Sequence, residues 1–277
     1  MYLCHCQTFW NIGMTEQNIL LAFILTAIAG LSTGIGSLIA LLAKHTNTKF
    51  LCASLGFSAG IMLYVSFMEM MPQGKEELVS AFGDKMGTLY LILAFFAGIA
   101  FINIIDFLIP ESLNPHEIQG VEDMDKKRSL KRTGIIVAMS IAIHNFPEGI
   151  ATFTSALNSL DVAIPITIAI AIHNIPEGIA VAVPIYHATG SRKKAFWYSF
   201  ASGLAEPFGA LIAYLFLMQF WTPAMNGIVL AAVSGIMVFI SLDELLPSAE
   251  KYGKHHISIS GLVAGMLVMA FSLYMFV

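Results

Sequence analysis

The sequence predicts an all-α integral membrane protein with eight transmembrane helices. Hydrophobic residues make up 57% of the 277 positions and charged residues only 12%, whereas about a quarter of the residues in a soluble domain are charged. The charged residues cluster in short segments that separate long apolar stretches. A spanning helix needs about 20 consecutive apolar residues. We predict spans at 18–43, 50–71, 88–109, 133–157, 163–187, 194–219, 225–248 and 258–277.

Two segments lie outside these spans. Residues 1–17 form an N-terminal tail without a basic n-region, so a cleaved signal peptide is not expected there. Residues 110–132 form a charged loop that contains Pro110, Pro115 and Gly120, a composition typical of a flexible connection. We therefore expect a short tail, 1–17, and one transmembrane domain, 18–277, with no separate soluble domain.

The distribution of Lys and Arg predicts the orientation, because cytoplasmic loops of membrane proteins are enriched in both. Twelve of the fourteen basic residues lie in connections that follow odd-numbered spans, and only Lys75 and Lys85 lie on the opposite side. We therefore expect the loop 110–132 in the cytoplasm and both termini on the extracytoplasmic side.

A short motif occurs twice, in the fourth and fifth spans. The segment from Ile141 to Ala151 recurs from Ile170 to Ala180 with ten of eleven positions identical. Because only a short connection separates these spans, they are expected to form an antiparallel hairpin. The hairpin would bring the two copies together near the middle of the bilayer.

A second, weaker repeat relates the two ends of the chain. Span 2 matches span 7, and span 1 matches span 6, each at a constant separation along the chain. In the first match, Gly60 corresponds to Gly235, and in the second, Gly30 corresponds to Gly203. No match between spans 3 and 8 is apparent. The predicted orientation makes the matched spans run in opposite directions. We therefore predict a 3+2+3 arrangement, in which inverted repeats of helices 1–3 and 6–8 flank the helix 4/5 hairpin, as in many transporters.

The repeated motif carries polar residues that point to a metal site. Within each copy, a histidine and a glutamate four residues apart share one helix face. A carboxylate deep in a membrane usually marks a functional site, and two facing carboxylates repel unless a cation lies between them. Imidazole suits zinc and related metals. The candidate ligands from the motif are His144, Asn145, Glu148, His173, Asn174 and Glu177.

Two further residues are candidate ligands. Glu206 lies at the centre of span 6 and is followed by Pro207, and Met62 offers a thioether in the middle of span 2. Pro147 and Pro176 each remove a helical hydrogen bond within the motif and are expected to kink spans 4 and 5. An intramembrane metalloprotease is not expected, because its His-Glu-x-x-His motif would need glutamate where both copies have asparagine.

At the doubled His-Asn-x-Pro-Glu-Gly motif and at Ser202–Pro207, the chain resembles the ZIP family of metal transporters, and its bacterial zinc-transporting members in particular. The resemblance implies uptake of Zn²⁺, together with Fe²⁺, Mn²⁺, Co²⁺ and Cd²⁺, across the inner (plasma) membrane into the cytoplasm. It implies a binuclear site at the midplane. One sub-site would use His144, Glu148, His173 and Glu177 with Met62, and the other Asn145, Glu148, Asn174, Glu177 and Glu206.

The resemblance also sets the remaining expectations. The partners are divalent metal ions as substrate and membrane lipid, with no nucleic acid, no cofactor and no enzymatic activity. A metal-selective channel or a metal-sensing membrane protein remains open as an alternative function. A homodimer is among the oligomeric states that the sequence leaves open.

Overall fold

The computed structural model describes residues 16–42, 48–108, 126–158, 160–218 and 221–275. All regular secondary structure in these ranges is helical. Seven helices in the described part of the chain are long and apolar enough to cross a membrane, which confirms the predicted helical membrane protein. The count of eight spans stays a prediction, because the fourth helix is not one of the seven. Residues 1–15 of the predicted tail and 110–125 of the predicted loop lie outside the described residues.

We number the helical segments of the described ranges α1 to α8 in chain order. Three of them contain a π-helical turn, given as the middle or last part of the segment. The bounds are α1 Glu16–Leu42; α2 Thr48–Val65, Ser66–Met70 and Met71–Phe82; α3 Asp84–Leu108; α4 Lys126–Asn158; α5 Leu160–Thr189; α6 Arg192–Gly203, Ala205–Ile212 and Ala213–Leu217; α7 Pro223–Ile240, Ser241–Leu245 and Leu246–Tyr252; and α8 His255–Tyr274.

Two helices extend beyond their predicted spans. The helix that contains span 2 was expected to end at residue 71, which is wrong, because α2 continues to Phe82. Gly83 then turns the chain into α3 with a φ of 78°, a conformation that favours glycine. The helix α4 begins at Lys126, within the predicted loop 110–132. Hydropathy marks the thickness of the apolar layer, and a helix can continue past that layer with polar residues.

The π-helical turns of α2 and α7 lie at matching positions of the long-range repeat. A proline lies two residues after the end of each turn, at position two of the following helical part: Pro72 in α2 and Pro247 in α7. Proline cannot donate to the carbonyl four residues back and its ring crowds that carbonyl. A wider turn with an extra residue accommodates this conflict. The two repeats therefore share a local backbone irregularity as well as sequence.

The helices pack in two groups. In the first, α5 packs against α1, α4 and α6, and α4 packs against α6. In the second, α2 packs against α8, α3 packs against α7, and α2 contacts both α3 and α7. The groups meet mainly where α2 lies against α5 and α7 lies against α4. The main contacts in one half of the chain thus have counterparts in the other.

Close backbone contacts follow the same correspondence. A Cβ at Gly36 of α1 would overlap the carbonyl oxygen of Ile175, and a Cβ at Gly209 of α6 would overlap that of Phe146. Gly36 and Gly209 are equivalent in the long-range repeat, and Phe146 and Ile175 are equivalent in the motif. Glycine is required at both crossings, because any side chain would separate the helices.

The contacts also reveal the correspondence between α3 and α8 that was not apparent in the sequence. Gly98 of α3 lies against the carbonyl of Ala232, and Gly265 of α8 lies against the carbonyl of Phe57. Phe57 and Ala232 are equivalent positions in the match of α2 with α7, because they are as far apart in the chain as Gly60 and Gly235. Gly98 and Gly265 are therefore equivalent positions, each preceded by alanine.

Candidate metal centre

The α4/α5 hairpin positions most of the predicted ligands. The two helices pack against each other and are connected through residue 159, and both run through their motif prolines without interruption. Five predicted ligands on these helices are buried, with side-chain exposures of 1% or less: Asn145, Glu148, His173, Asn174 and Glu177. The side chain of His144 lies outside the described side chains.

A direct contact joins the two copies of the motif. His173 Nε2 of α5 lies 3.3 Å from Glu148 Oε2 of α4, and both side chains are buried. The contact is a neutral hydrogen bond or an ion pair, depending on the protonation of the imidazole. The motifs therefore face each other, as the hairpin predicts.

Glu206 reaches the same region from α6. A turn at Leu204 separates Arg192–Gly203 from Ala205–Ile212, so Glu206 lies in the first turn of a new helical segment and is buried completely. The amide nitrogen Nδ2 of Asn174 donates a hydrogen bond to Glu206 Oε1. Gly149 permits this approach, because a Cβ there would overlap the backbone of Glu206.

Backbone carbonyls of α1 and α6 hold the two motif asparagines. Asn174 Nδ2 also donates to the carbonyl of Ala29, at 3.0 Å. Asn145 Nδ2 donates to the carbonyl of Ser202, at 3.4 Å. Both amides therefore use their nitrogen for protein contacts and turn their oxygen elsewhere.

The charge of the cluster favours a cation. The negative charges of Glu148 and Glu177 both act on Glu206, and all three carboxylates are buried. Like charges in a medium of low dielectric repel strongly, and a divalent ion would offset that repulsion. Four buried oxygens of the cluster have no hydrogen-bond partner among the described residues: Asn145 Oδ1, Glu148 Oε1, Asn174 Oδ1 and Glu206 Oε2. Carboxylate and amide oxygens of this kind are metal ligands.

Met62 lies close to this region on α2. It is completely buried and one helical turn after Ser58, whose hydroxyl donates to the carbonyl of His173 at 3.2 Å. Residues four apart share a helix face, so Met62 is on the side of α2 that faces α5. Among the described side chains, no three His, Cys, Asp and Glu residues converge tightly enough to hold one ion. A complete coordination shell therefore needs the asparagine oxygens or His144 as well.

Thr33 is a buried polar residue near the site that the sequence analysis did not identify. The number of residues between Thr33 and Glu206 equals the number between Gly30 and Gly203. Thr33 therefore occupies the position in α1 that corresponds to Glu206 in α6. Its hydroxyl is buried and has no hydrogen-bond partner among the described residues, and its backbone carbonyl lies against Gly178. Comparing spans 1 and 6 position by position would have identified it. The carbonyls of Ala29 and Ser202 had no such signal, because backbone groups leave no trace in a sequence.

Comparisons with known proteins identify the family of this chain. The family profile described as "ZIP Zinc transporter" matches residues 108–273. A protein named "Zinc transporter ZupT" from Clostridium perfringens is 57% identical over 282 residues, which cover 96% of this chain and 99% of the relative. The protein of the same name from Streptococcus mutans is 60% identical and covers 95% of this chain and 100% of the relative. The family consists of membrane metal transporters and not of enzymes. The chain therefore belongs to the ZIP zinc transporter family, as the doubled motif indicated.

Proposed function

We propose that this protein carries divalent metal ions, zinc first, across the inner (plasma) membrane into the cytoplasm. The observation that carries the proposal is the burial of three acidic side chains from three helices in one region, where the charges of Glu148 and Glu177 both bear on Glu206. A divalent cation bound among them supplies the missing positive charge. The relatives named zinc transporters support zinc as the substrate. The same mixture of oxygen and imidazole ligands suits Fe²⁺, Mn²⁺, Co²⁺ and Cd²⁺ as well.

The proposed site is binuclear, with the two hairpin glutamates Glu148 and Glu177 shared between both ions. The first ion is bound on the histidine side of the motifs, by His144 and His173, with Met62 as a further ligand. The contact between His173 and Glu148 supports this sub-site.

The second ion is bound on the asparagine side of the motifs. Its ligands are Asn145, Asn174 and Glu206 together with the shared glutamates. Three oxygens without a partner among the described residues support this sub-site, on Asn145, Asn174 and Glu206. On metal binding, the Asn174 amide would exchange its contact with Glu206 for one with the ion.

We propose that transport proceeds by alternating access. The 3+2+3 inverted repeat, with eight spans and both termini outside, would give two conformations of nearly equal energy. All ligands except Met62 belong to the group of α1, α4, α5 and α6, which would move against the group of α2, α3, α7 and α8. An apolar cavity of about 480 Å³ separates α3 from α4, lined by Phe101 and Ile105 on one side and Phe146 and Pro147 on the other. The space is open at the surface, so membrane lipid would fill it and cover the outer faces of both groups.

Zinc flux into proteoliposomes tests the proposal. Glu148→Ala and Glu177→Ala are each expected to abolish zinc uptake, because one carboxylate fewer leaves the ion incompletely neutralised. Glu250→Ala is a matched control, since this glutamate is exposed and contacts His255 at the end of α7. Its uptake is expected to be normal. Normal uptake by both motif variants would remove the proposed site.

Counterflow distinguishes this function from the alternative. A carrier that alternates between two faces exchanges labelled zinc against unlabelled zinc, and its uptake saturates. A metal-selective channel shows neither behaviour. A metal-sensing membrane protein would bind zinc without transport.

A further inference from the structure

Besides that of Thr33 in α1, four buried hydroxyls near the proposed metal centre make no hydrogen bond within the described residues. They belong to α2, α4 and α5, and their exposures are 4% or less: Ser66, Thr152, Ser155 and Thr167. Serine and threonine inside a helix commonly donate to a carbonyl three or four residues back. Thr154 does so, at 2.9 Å from the carbonyl of Ile150. The four hydroxyls therefore depart from the usual local arrangement.

Ser66 has an internal comparison. Its equivalent in the repeat is Ser241, which begins the corresponding π-helical turn and donates to the carbonyl of Met237 at 2.7 Å. The backbone of such a turn thus allows the local hydrogen bond. The different behaviour of Ser66 cannot follow from the π-helical turn alone.

The hydroxyls of α4 and α5 lie on the same helix faces as the proposed ligands, and all of them are displaced from the ligands in one direction. Thr152 and Ser155 follow Glu148 by four and seven residues, and Thr167 precedes Asn174 by seven. At 1.5 Å per residue, these positions lie about 6 to 10 Å from the ligands along the helix axes. All three are displaced toward residue 159, where α4 and α5 are connected.

Ser66 lies on the same side of the ligands. Ser66 lies one turn after Met62 in α2, toward the end of the helix that contains Glu77. The carboxylate of Glu77 accepts hydrogen bonds from Asn226 Nδ2 at 2.8 and 2.9 Å. The neighbouring Met225 packs against the cluster of buried residues that contains Phe153, near the connected ends of α4 and α5. This end of α2 is therefore on the side of residue 159.

On the opposite side of the ligands, the corresponding positions of α4 and α5 are apolar. Residues 138, 141, 181, 182 and 185 form a buried hydrophobic cluster there. Aligning the two copies of the motif makes Val181 the equivalent of Thr152 and Ala138 the equivalent of Thr167. The two sides of the site thus differ at equivalent positions, with hydroxyls on one and hydrocarbon on the other.

We propose that Ser66, Thr152, Ser155 and Thr167 line the approach by which a divalent ion reaches the carboxylates from the side of residue 159. The inference rests on the proposed transport function. Hydroxyl oxygens are hard, neutral ligands, so they replace water around a divalent ion without binding it as tightly as carboxylates do. Conduction requires such weak intermediate positions. On the predicted orientation, this approach opens to the extracytoplasmic side.

Cysteine labelling tests the approach directly. In proteoliposomes containing a variant without its native cysteines, Thr152→Cys, Ser155→Cys and Thr167→Cys are expected to react with a small, membrane-impermeant cationic thiol reagent added from the side of residue 159. Zinc at about ten times its Kd is expected to slow the labelling about tenfold, since it then occupies most of the site. The controls Ala138→Cys and Val181→Cys are expected to stay unlabelled from that side. No labelling of the three, or labelling that zinc does not slow, overturns the inference.

A second set of variants removes the hydroxyls and keeps the side-chain shape. The pair Thr152→Val and Thr167→Val is expected to lower the zinc uptake rate about five- to tenfold, the effect of roughly one hydrogen bond, with the equilibrium zinc Kd unchanged. Thr154→Val is the matched control with normal uptake. An unchanged rate in the double variant overturns the inference. If Glu148→Ala abolishes uptake while these variants transport normally, the approach fails and the proposed function stands.

Discussion

At the scale of single residues, Asn174 shows how a buried carboxylate is accommodated. Its amide nitrogen donates to Glu206 and to the carbonyl of Ala29, while its oxygen has no partner among the described residues. The asparagine thus offers a hydrogen-bond donor to the carboxylate and an oxygen to a cation. A neutral side chain that can serve either purpose suits a site that must bind and release its ion.

Replacing Asn174 with aspartate tests this explanation. Asn174→Asp exchanges the donor for an acceptor beside Glu206, so the metal-free protein is expected to lose about 1–3 kcal/mol of stability. Because a fourth carboxylate strengthens cation binding, zinc is expected to raise the melting temperature of the variant more than that of the native chain. Thermal unfolding in detergent, with and without zinc, measures both effects.

Asn226→Asp is the matched control for that measurement. Asn226 is also buried and donates to a carboxylate, that of Glu77, but lies away from the proposed ligands. The variant is expected to lose stability in the same way and to gain none from zinc. Equal stabilisation of both variants by zinc would mean that Asn174 has no special relation to the ion.

The candidate ligands of the motif could be singled out from the sequence because the motif is repeated. A single His-x-x-x-Glu pair could serve helix packing, whereas two near-identical copies that include Pro147 and Pro176 indicate a shared site. The contacts of Asn145 and Asn174 with backbone carbonyls could not be predicted. They depend on how closely α1 and α6 approach the hairpin.

At the scale of helices, glycine positions decide which pairs pack closely. Gly36 and Gly209 mark equivalent crossings, of α1 with α5 and of α6 with α4. The sequence predicted these glycines as part of the repeat, but not their partners, because a small-residue stripe does not specify the helix that it contacts.

Alanine at either crossing is expected to destabilise the protein. In Gly36→Ala and Gly209→Ala the added methyl group meets backbone atoms that cannot move aside independently, so each variant is expected to lose about 1–3 kcal/mol of unfolding free energy. Gly74→Ala is the control, since its Cβ would lie 3.0 Å from the carbonyl oxygen of Gly227 and a smaller loss is expected. Detergent melting curves compare the three. Losses in the first two no larger than that of Gly74→Ala would contradict the proposed packing role.

Helix ends were the least predictable feature at this scale. Span 2 was expected to end at residue 71, yet α2 passes through its π-helical turn and continues to Phe82. The bilayer limits how many residues must be apolar, and it places no limit on how far a helix extends into water. The contact between Glu77 and Asn226 then fixes this extension to the start of α7.

At the scale of the whole molecule, the helices divide into a group that carries nearly all the proposed ligands and a group that carries Met62. The matches of spans 1 with 6 and 2 with 7 predict an inverted repeat, and the two groups contain corresponding pairs of helices. The sequence did not predict the division itself, because membership depends on packing partners that are distant in the chain. The correspondence of α3 and α8 likewise became apparent only through the contacts of Gly98 and Gly265.

Locating the bound ion tests the central claim most directly, that a divalent cation neutralises carboxylates buried among α4, α5 and α6. A crystal structure of the zinc-bound protein, with anomalous data at the zinc edge, would place the metal without reference to any side chain. We predict two neighbouring anomalous peaks, both bound by Glu148 and Glu177, with zinc–oxygen distances of about 2.0–2.2 Å. A peak elsewhere, with Glu148 and Glu177 turned into separate pockets, would contradict the account.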